Sequence, residues 1–189
     1  MSQVLIVYYS KRGITKKMAR LIARGVESVG GCHAVIRTVE SDLDGAPEPM
    51  DPIVSEQDMK DCDAMLLGSP CYFGNMASPL NRFIDSTGNL WFSGAMEGKP
   101  AGVFTTGSSL HGGQETTLIN MMIPLMHYGM VMVGLPYSEK SLLYTTSGGS
   151  PYGATHWTEF ESNRAIDSNE KQLCIAQGKR TAEIAKKLK

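Results

Sequence analysis

The sequence predicts an α/β domain of the doubly wound class, with helices on both faces of a parallel sheet. Five short apolar runs are separated by segments with helical spacing, and such alternation implies right-handed crossover connections. Four runs are almost continuously apolar, as expected of strands buried on both faces. The runs occupy residues 4–9, 33–39, 64–69, 101–107 and 130–136.

The individual elements follow from periodicity and from start and stop signals. The run at 33–39 alternates apolar and polar residues, which suits an edge strand. Helices are predicted after residue 15, from Ser78-Pro79, over 114–129 with a kink at Pro124, and along the C-terminal 20 residues. The C-terminal helix carries Leu173, Ala176, Ile184 and Leu188 on one face. Residues 41–62 are expected to form a loop and then one short helix from Ser55.

Composition limits the function classes. A chain of 189 residues is expected to form one domain over 1–189. With 18 Lys+Arg and 19 Asp+Glu the net charge is -1, which disfavours nucleic acid as a partner. Four cysteines without a C-x-x-C pair fit neither a disulfide framework nor a zinc site. We therefore expect a soluble cytoplasmic protein without a leader, membrane insertion or metal.

Ligands of such sheets bind at the carboxyl ends of the strands, so the loops after strands one, three and four are candidates. The first, SKRGIT at 10–15, joins a buried strand to a helix and offers backbone N–H groups, hydroxyls and two cations. It lacks the glycines of triphosphate and dinucleotide loops, which favours a compact monophosphate site. Taken alone, the same pattern also describes an ordinary capped turn.

The other two loops differ in composition. GSPCYFGNMASP at 68–79 combines small residues with Tyr72 and Phe73, which suits a planar ligand or, equally, a rigid turn. TTGSSLHGGQETT at 105–117 presents backbone donors without acidic residues before Glu115, which suits an anionic ring or a flexible surface loop. Together the three loops predict a pocket for a flat ring with one phosphate, and flavin mononucleotide (FMN) fits better than ATP or NAD.

Several motifs carry a resemblance to a known family: YYSKRGIT, GSPCYFGNMASPL, LWFSGAMEGKPAGVFTTGSSLHGGQET, HYGMVMVGLPY and SPYGAT. Over nearly the whole chain the sequence resembles the WrbA family, flavodoxin-like NAD(P)H:quinone oxidoreductases named as tryptophan-repressor-binding proteins. The resemblance implies a flavodoxin-like five-stranded sheet in the order 2-1-3-4-5, a homotetramer, and two-electron transfer from NADH or NADPH through FMN to quinones.

The resemblance also implies site residues. The FMN phosphate would contact Ser10, Lys11, Arg12, Gly13, Ile14 and Thr15. The FMN ring would lie between Cys71, Tyr72, Phe73, Gly74 and Asn75 on one side and Thr106, Gly107, Ser108, Ser109, Leu110, His111 and Gly112 on the other. His127 would lie at FMN as a catalytic residue, although by position alone it reads as a packing residue. Trp91 would line the quinone pocket, and the proton would come from His127 or from solvent.

Three positions depart from the family pattern. Arg12 replaces a common aromatic residue, Tyr72 replaces a common arginine, and TTGSS replaces S-T-G-T in the third loop. Arg12 makes a phosphate contact possible where the aromatic residue would stack, Tyr72 leaves the choice between NADH and NADPH open, and the backbone donors of the third loop are expected to remain. Two alternative functions are a flavodoxin-type electron carrier and a regulatory binding protein without turnover of its own. The near-neutral charge and the additional 70–98 segment favour an enzyme over a carrier.

Overall fold

A parallel sheet forms the centre of the protein in the computed structural model, which describes residues 1–43, 49, 51–161 and 164–189. Its first four strands are the predicted apolar runs, and two shorter strands extend the β4 edge. The strands are β1 (Ser2–Tyr8), β2 (Cys32–Thr38), β3 (Ala64–Pro70), β4 (Pro100–Gly107), β5 (Val131–Met132) and β6 (Ala154–Trp157). The order β2-β1-β3-β4-β5 confirms the predicted flavodoxin-like topology, with β2 at the edge.

Helices cover both faces of this sheet. They are α1 (Ile14–Glu27), α2 (Glu56–Asp61), α3 (Ser78–Ser86), α4 (Gly88–Phe92), α5 (Gln114–His127), α6 (Lys140–Tyr144) and α7 (Ser168–Leu188). Alternate residues of β1 point to opposite faces, so Ile6 packs with α1 and α7 while Val7 packs with α3, α4 and α5. Among the described residues, no helix has the length and apolar composition needed to span a bilayer.

The fifth strand differs from its prediction. Only Val131–Met132 of the predicted run at 130–136 pairs with β4, at Pro100 and Ala101, and β6 pairs with the end of β4. The chain leaves the sheet because the Leu135 N–H donates to the Pro151 carbonyl and Pro136 has no N–H to offer. The carboxyl end of β4 is therefore flanked by a segment that the periodicity did not identify as a strand.

The predicted helices are present, with one correction to a packing face. Leu173 of α7 is fully buried, but Leu188 is 60% exposed. The buried face consists mainly of smaller side chains such as Thr181, Ala182 and Ala185. Helix α7 lies close to α1 at two glycines, because a Cβ atom on Gly25 or on Gly178 would meet the backbone of the other helix. In the predicted loop at 41–62, residues 44–48 and 50 lie outside the described part, and α2 begins after a capping box at Ser55.

Candidate functional site

A cavity of about 490 Å³ opens at the carboxyl ends of β1, β3, β4 and β6. We call it the central cavity. Most of its lining was predicted from the sequence, and Pro70, Thr158 and Phe160 were not. The lining comprises Ser10, Lys11, Arg12, Ile14, Thr15, Pro70, Cys71, Tyr72, Thr106, Gly107, Ser108, Thr158 and Phe160.

The first loop ends at an uncapped helix. Helix α1 starts after Gly13, whose φ of 77° is left-handed, and no side chain of the described residues caps it. Helices α3 to α6 likewise have no side-chain cap among the described residues, whereas α2 and α7 begin with capping boxes at Ser55 and Asp167. Because four N–H groups at a helix start lack helical partners, α1 presents donors and a positive dipole end to the central cavity.

Hydroxyl groups surround this helix start. The Ser10 Oγ is buried and has no hydrogen-bond partner within the described part of the chain. The Oγ1 atoms of Thr15 and Thr106 lie 3.3 Å apart, which joins the first loop to the end of β4. A buried hydroxyl without a partner costs free energy, so a phosphate oxygen at this place would satisfy a donor that the protein leaves open.

The second loop is a tight turn that presents Phe73. The N–H groups of Tyr72 and Asn75 each donate to the other residue's carbonyl, at 2.9 and 3.0 Å. Phe73 (φ 53°) and Gly74 (φ 74°) are both left-handed, and the Phe73 ring is fully exposed outside the described lining of the central cavity. A non-glycine residue held in this conformation is strained, and such strain concentrates at functional loops.

Tyr72 faces polar groups across the mouth of the cavity. Burial is the largest factor that raises the pKa of Tyr72, the nearby Tyr9 raises it further, and the positive charge of Arg12 opposes both. Tyr72 and Arg12, two of the positions that depart from the WrbA pattern, both line the central cavity.

The third loop packs tightly on the second. Helix α5 starts after Gly113 (φ 100°), and a Cβ atom there would lie 2.9 Å from the Gly74 Cα. The Cys71 Sγ donates to the Gly112 carbonyl at 3.4 Å, and the Asn120 amide donates to the Gly74 carbonyl at 2.9 Å. Leu110 and His111 line a smaller cavity of about 300 Å³, and Ser109 lies near it, with its carbonyl accepting from Gln114.

A buried ionic network supports the third loop from behind β6. The fully buried Glu170 carboxylate accepts hydrogen bonds from His156 Nδ1 at 2.7 Å, Arg164 at 3.0 Å and the Gly148 N–H at 2.9 Å. Burial by itself would raise the pKa of Glu170, but the hydrogen bond from His156, followed by those from the Asp167 and Trp157 N–H groups, lowers it below its ordinary value. The sequence contains these residues, but no local pattern indicated that they meet.

The predicted residues His127 and Trp91 lie together in another place. The Trp91 Nε1 donates to the His127 carbonyl at 2.8 Å, and both line a cavity of about 480 Å³ between α3, α4 and α5. We call it the helical cavity. Among the described residues it shares no lining residue with the central cavity, although Asn75 of the second loop lines it.

Comparison with known proteins places the chain in a family. Residues 3–138 match the family described as NADPH-dependent FMN reductase, and the chain belongs to that family. A protein of Syntrophobacter fumaroxidans named NAD(P)H dehydrogenase (quinone) is 42% identical over 98% of each chain. A protein of the same name from Geobacter sulfurreducens is 40% identical, again over 98% of each chain.

Solved structures agree on the fold. A crystal structure described as the flavodoxin, WrbA-like protein from Agrobacterium tumefaciens has a TM-score of 0.72 at 23% identity, with both chains fully covered. A flavodoxin from the domain Archaea has a TM-score of 0.68 at 21% identity, with 97% and 99% of the chains covered. The fold is therefore flavodoxin-like.

Proposed function

We propose that this protein is an NAD(P)H:quinone oxidoreductase that binds FMN in the central cavity, and that within its family it belongs with the WrbA proteins. The observation that carries the proposal is the unpartnered Ser10 hydroxyl beside the uncapped start of α1, below a loop that carries Tyr72. The full-length relatives named NAD(P)H dehydrogenase (quinone) support the same activity. When bound, FMN would supply the two-electron chemistry, accepting hydride from the nicotinamide and passing it to the quinone.

In this proposal the protein binds and orients the reactants. Ser10, Thr15 and the N–H groups at the start of α1 would hold the phosphate, with Lys11 and Arg12 beside it. Loops two and three would hold the ring, because they meet at the mouth of the cavity. Residues 105–113 contain no acidic side chain, so their N–H groups would favour an electron-rich ring edge.

In our proposal the quinone pocket is completed by a second subunit. Next to the helical cavity the apolar side chains of Phe92, Ile119, Ile123 and Met126 are exposed. Exposed apolar clusters of this kind are typical of protein interfaces. We propose a homotetramer in which this face is covered, with Trp91 lining the quinone pocket and His127 or solvent supplying the proton.

The reaction is expected to run in a reducing compartment. All four cysteines are free thiols in the structure, and three of them are buried. Free thiols persist where glutathione and thioredoxin keep the compartment reduced. We propose a cytoplasmic location.

The test is turnover by the purified protein. FMN-loaded protein is mixed with NADPH or NADH and benzoquinone, and nicotinamide oxidation is followed with and without the quinone. We expect sustained quinone-dependent oxidation. Bound FMN with no turnover by either nucleotide would indicate an electron carrier and would overturn the proposal.

A further inference from the structure

Two helices on one face of the sheet carry half of the positive charge of the chain. Helices α1 and α7 pack side by side, in contact at Gly25 and Gly178. Together they hold nine of the 18 Lys+Arg residues but only three of the 19 Asp+Glu residues. The net charge of -1 is therefore the average of a basic helix pair and an acidic remainder. The nine cations are Lys16, Lys17, Arg20, Arg24, Lys171, Lys179, Arg180, Lys186 and Lys187.

Six of these cations lie in stripes along the exposed sides of the two helices. Residues seven positions apart are separated by about two helical turns and therefore lie on the same side of a helix. Three pairs of cations have this spacing, and all six residues are exposed. We call the surface that they form the basic face. The pairs are Lys17 with Arg24, Lys179 with Lys186, and Arg180 with Lys187.

The acidic residues of the same helices offset little of this charge. Glu170 is fully buried and accepts its hydrogen bonds from the network behind β6. The Glu27 carboxylate accepts a backbone N–H of β2 at 2.7 Å, and Glu183 lies 3.9 Å from the Lys179 ammonium. In the part of the chain that the structure describes, no carboxylate forms an ion pair with Lys17, Arg24, Arg180 or Lys187.

The basic face lies on the opposite side of the sheet from the exposed apolar cluster. Helices α1 and α7 cover one sheet face, and α3, α4 and α5 cover the other. A partner subunit that covers the α3–α5 side in the proposed homotetramer would leave the basic face outward. Because the basic face spans two neighbouring helices, it matches an extended anionic surface better than a single small anion.

The proposed substrate favours a lipid surface as the anionic partner. A quinone with an apolar side chain partitions from water into a bilayer, because burial of apolar surface is favourable. Anionic lipid headgroups attract clusters of about four to eight lysines and arginines, and this attraction fades within a Debye length. The six cations of the basic face are a cluster of that size.

We propose that the basic face docks the protein on anionic lipid bilayers, in which quinones with apolar side chains dissolve. The inference rests on the proposed function for its choice of substrate, but docking itself is measured without turnover. The contacts are electrostatic and peripheral, between lipid phosphates and the six cations.

Docking is measured by sedimentation of the FMN-loaded protein with lipid vesicles. One set of vesicles is pure phosphatidylcholine, and the other contains about 30 mol% phosphatidylglycerol. We expect a partition coefficient at least about ten-fold higher on the anionic vesicles, which is lost in about 0.5 M NaCl. Equal partition on the two sets, or binding that persists in the salt, would overturn the proposal. Tighter binding to duplex DNA than to anionic vesicles at the same ionic strength would indicate a nucleic-acid surface instead and would also overturn it.

Two triple variants with equal loss of charge locate the docking surface. The first combines Arg24→Gln, Arg180→Gln and Lys187→Gln on the basic face. The control combines Lys60→Gln, Arg82→Gln and Lys140→Gln, which are exposed cations on other helices. We expect the first variant to lose at least about ten-fold in partition on anionic vesicles and the control to stay within about two-fold. Equal losses would show that net charge, not the basic face, governs binding and would overturn the proposal.

Turnover separates this inference from the proposed function. With water-soluble benzoquinone and no vesicles, both triple variants should match the unaltered protein within about two-fold. With a long-chain quinone dissolved in anionic vesicles, the basic-face variant should be slower than the control. Equal rates there would overturn the link between docking and substrate. Absence of turnover with every quinone would remove the proposed function, and sedimentation would still decide whether the basic face docks on lipid.

Discussion

The indole Nε1 of Trp157 donates a hydrogen bond to the Ser108 carbonyl at 3.2 Å, which ties the end of β6 to the third loop of the central cavity. The Arg164 guanidinium lies 5.3 Å from the centroid of the Trp157 ring and donates to the Trp157 carbonyl at 2.9 Å. Arg164 in turn pairs with the buried Glu170. The position of the third loop therefore depends on a network behind the site.

Trp157→Phe tests this connection. The change keeps an aromatic ring for Arg164 but removes the N–H donor, so the third loop loses one anchor. We expect the Kd for FMN to rise by about five-fold, corresponding to one neutral hydrogen bond of about 1 kcal/mol, with little change in Tm. Fluorescence quenching of FMN measures the Kd.

Trp91→Phe is the matched control. It removes an indole donor of the same kind, to the His127 carbonyl at 2.8 Å, but from the helical cavity. We expect its Kd for FMN to stay within about two-fold of the unaltered value. An equal increase of the Kd for FMN in both variants would contradict a specific role for Trp157.

Glu170→Gln tests the network's contribution to stability. Removing the charge leaves Arg164 and His156 without their buried partner, so we expect a loss of about 3 kcal/mol in the free energy of unfolding at pH 7. Glu183→Gln, on the exposed face of the same helix, should change it by less than about 0.5 kcal/mol. Urea unfolding measures both, and similar losses in the two variants would refute the role of the network.

The same carboxylate predicts an acid dependence. The pKa of Glu170 in the folded protein lies below its ordinary value of 4.5, because the donors to the carboxylate outweigh the opposing effect of burial. Its contribution to stability is complete above pH 4.5 and is lost as the pH falls through the lower folded pKa. Unfolding between pH 7 and pH 3 should therefore be less pH-dependent in E170Q than in the unaltered protein. Parallel pH profiles would show that Glu170 is not responsible.

Ser10→Ala separates ligand binding from stability. The Ser10 hydroxyl is buried without a partner, so its removal should leave the free energy of unfolding of the FMN-free protein unchanged or slightly higher. The Kd for FMN should rise by about ten-fold or more, as expected for a lost hydrogen bond to a charged group. Riboflavin, which lacks the phosphate, is the control ligand and should bind both forms equally. A large loss of stability with no change in the FMN Kd would reverse this assignment.

Gly113→Ala tests the contact between loops two and three. A Cβ atom at Gly113 would meet the Gly74 backbone, and the left-handed φ adds strain. We therefore expect a loss of about 2 kcal/mol in the free energy of unfolding and weaker FMN binding. Gly30→Ala is the control, because it has open space around it and no left-handed φ, and its effect should be small. Thermal unfolding with and without FMN measures both variants. If G113A were as stable as G30A, the two loops would not pack as described.

Local sequence patterns predicted the parallel sheet and the central cavity, whereas the strand order was implied by the resemblance to the WrbA family. The continuous apolar runs identified β1, β3 and β4, and each site loop directly follows one of them. Ser10, Thr15, Tyr72 and Thr106 therefore fell into one cavity, as parallel strands require.

The features that the sequence did not predict depend on contacts between residues that are distant in sequence. Strand β6 is only four residues long and lies after a stretch rich in glycine and serine, so its apolar content gave no signal. Its partner Glu170 lies 14 residues from His156, and only the fold brings the two together. Residue spacing likewise could not predict that His127 lies apart from the central cavity, because its position depends on the direction of α5.

The central claim is that the three loops hold FMN, and the most direct measurement is the visible spectrum of the purified protein after incubation with FMN and desalting. We expect the flavin absorption to stay with the protein and to be bleached when NADPH is added without oxygen. A colourless protein with no measurable affinity for FMN would contradict it.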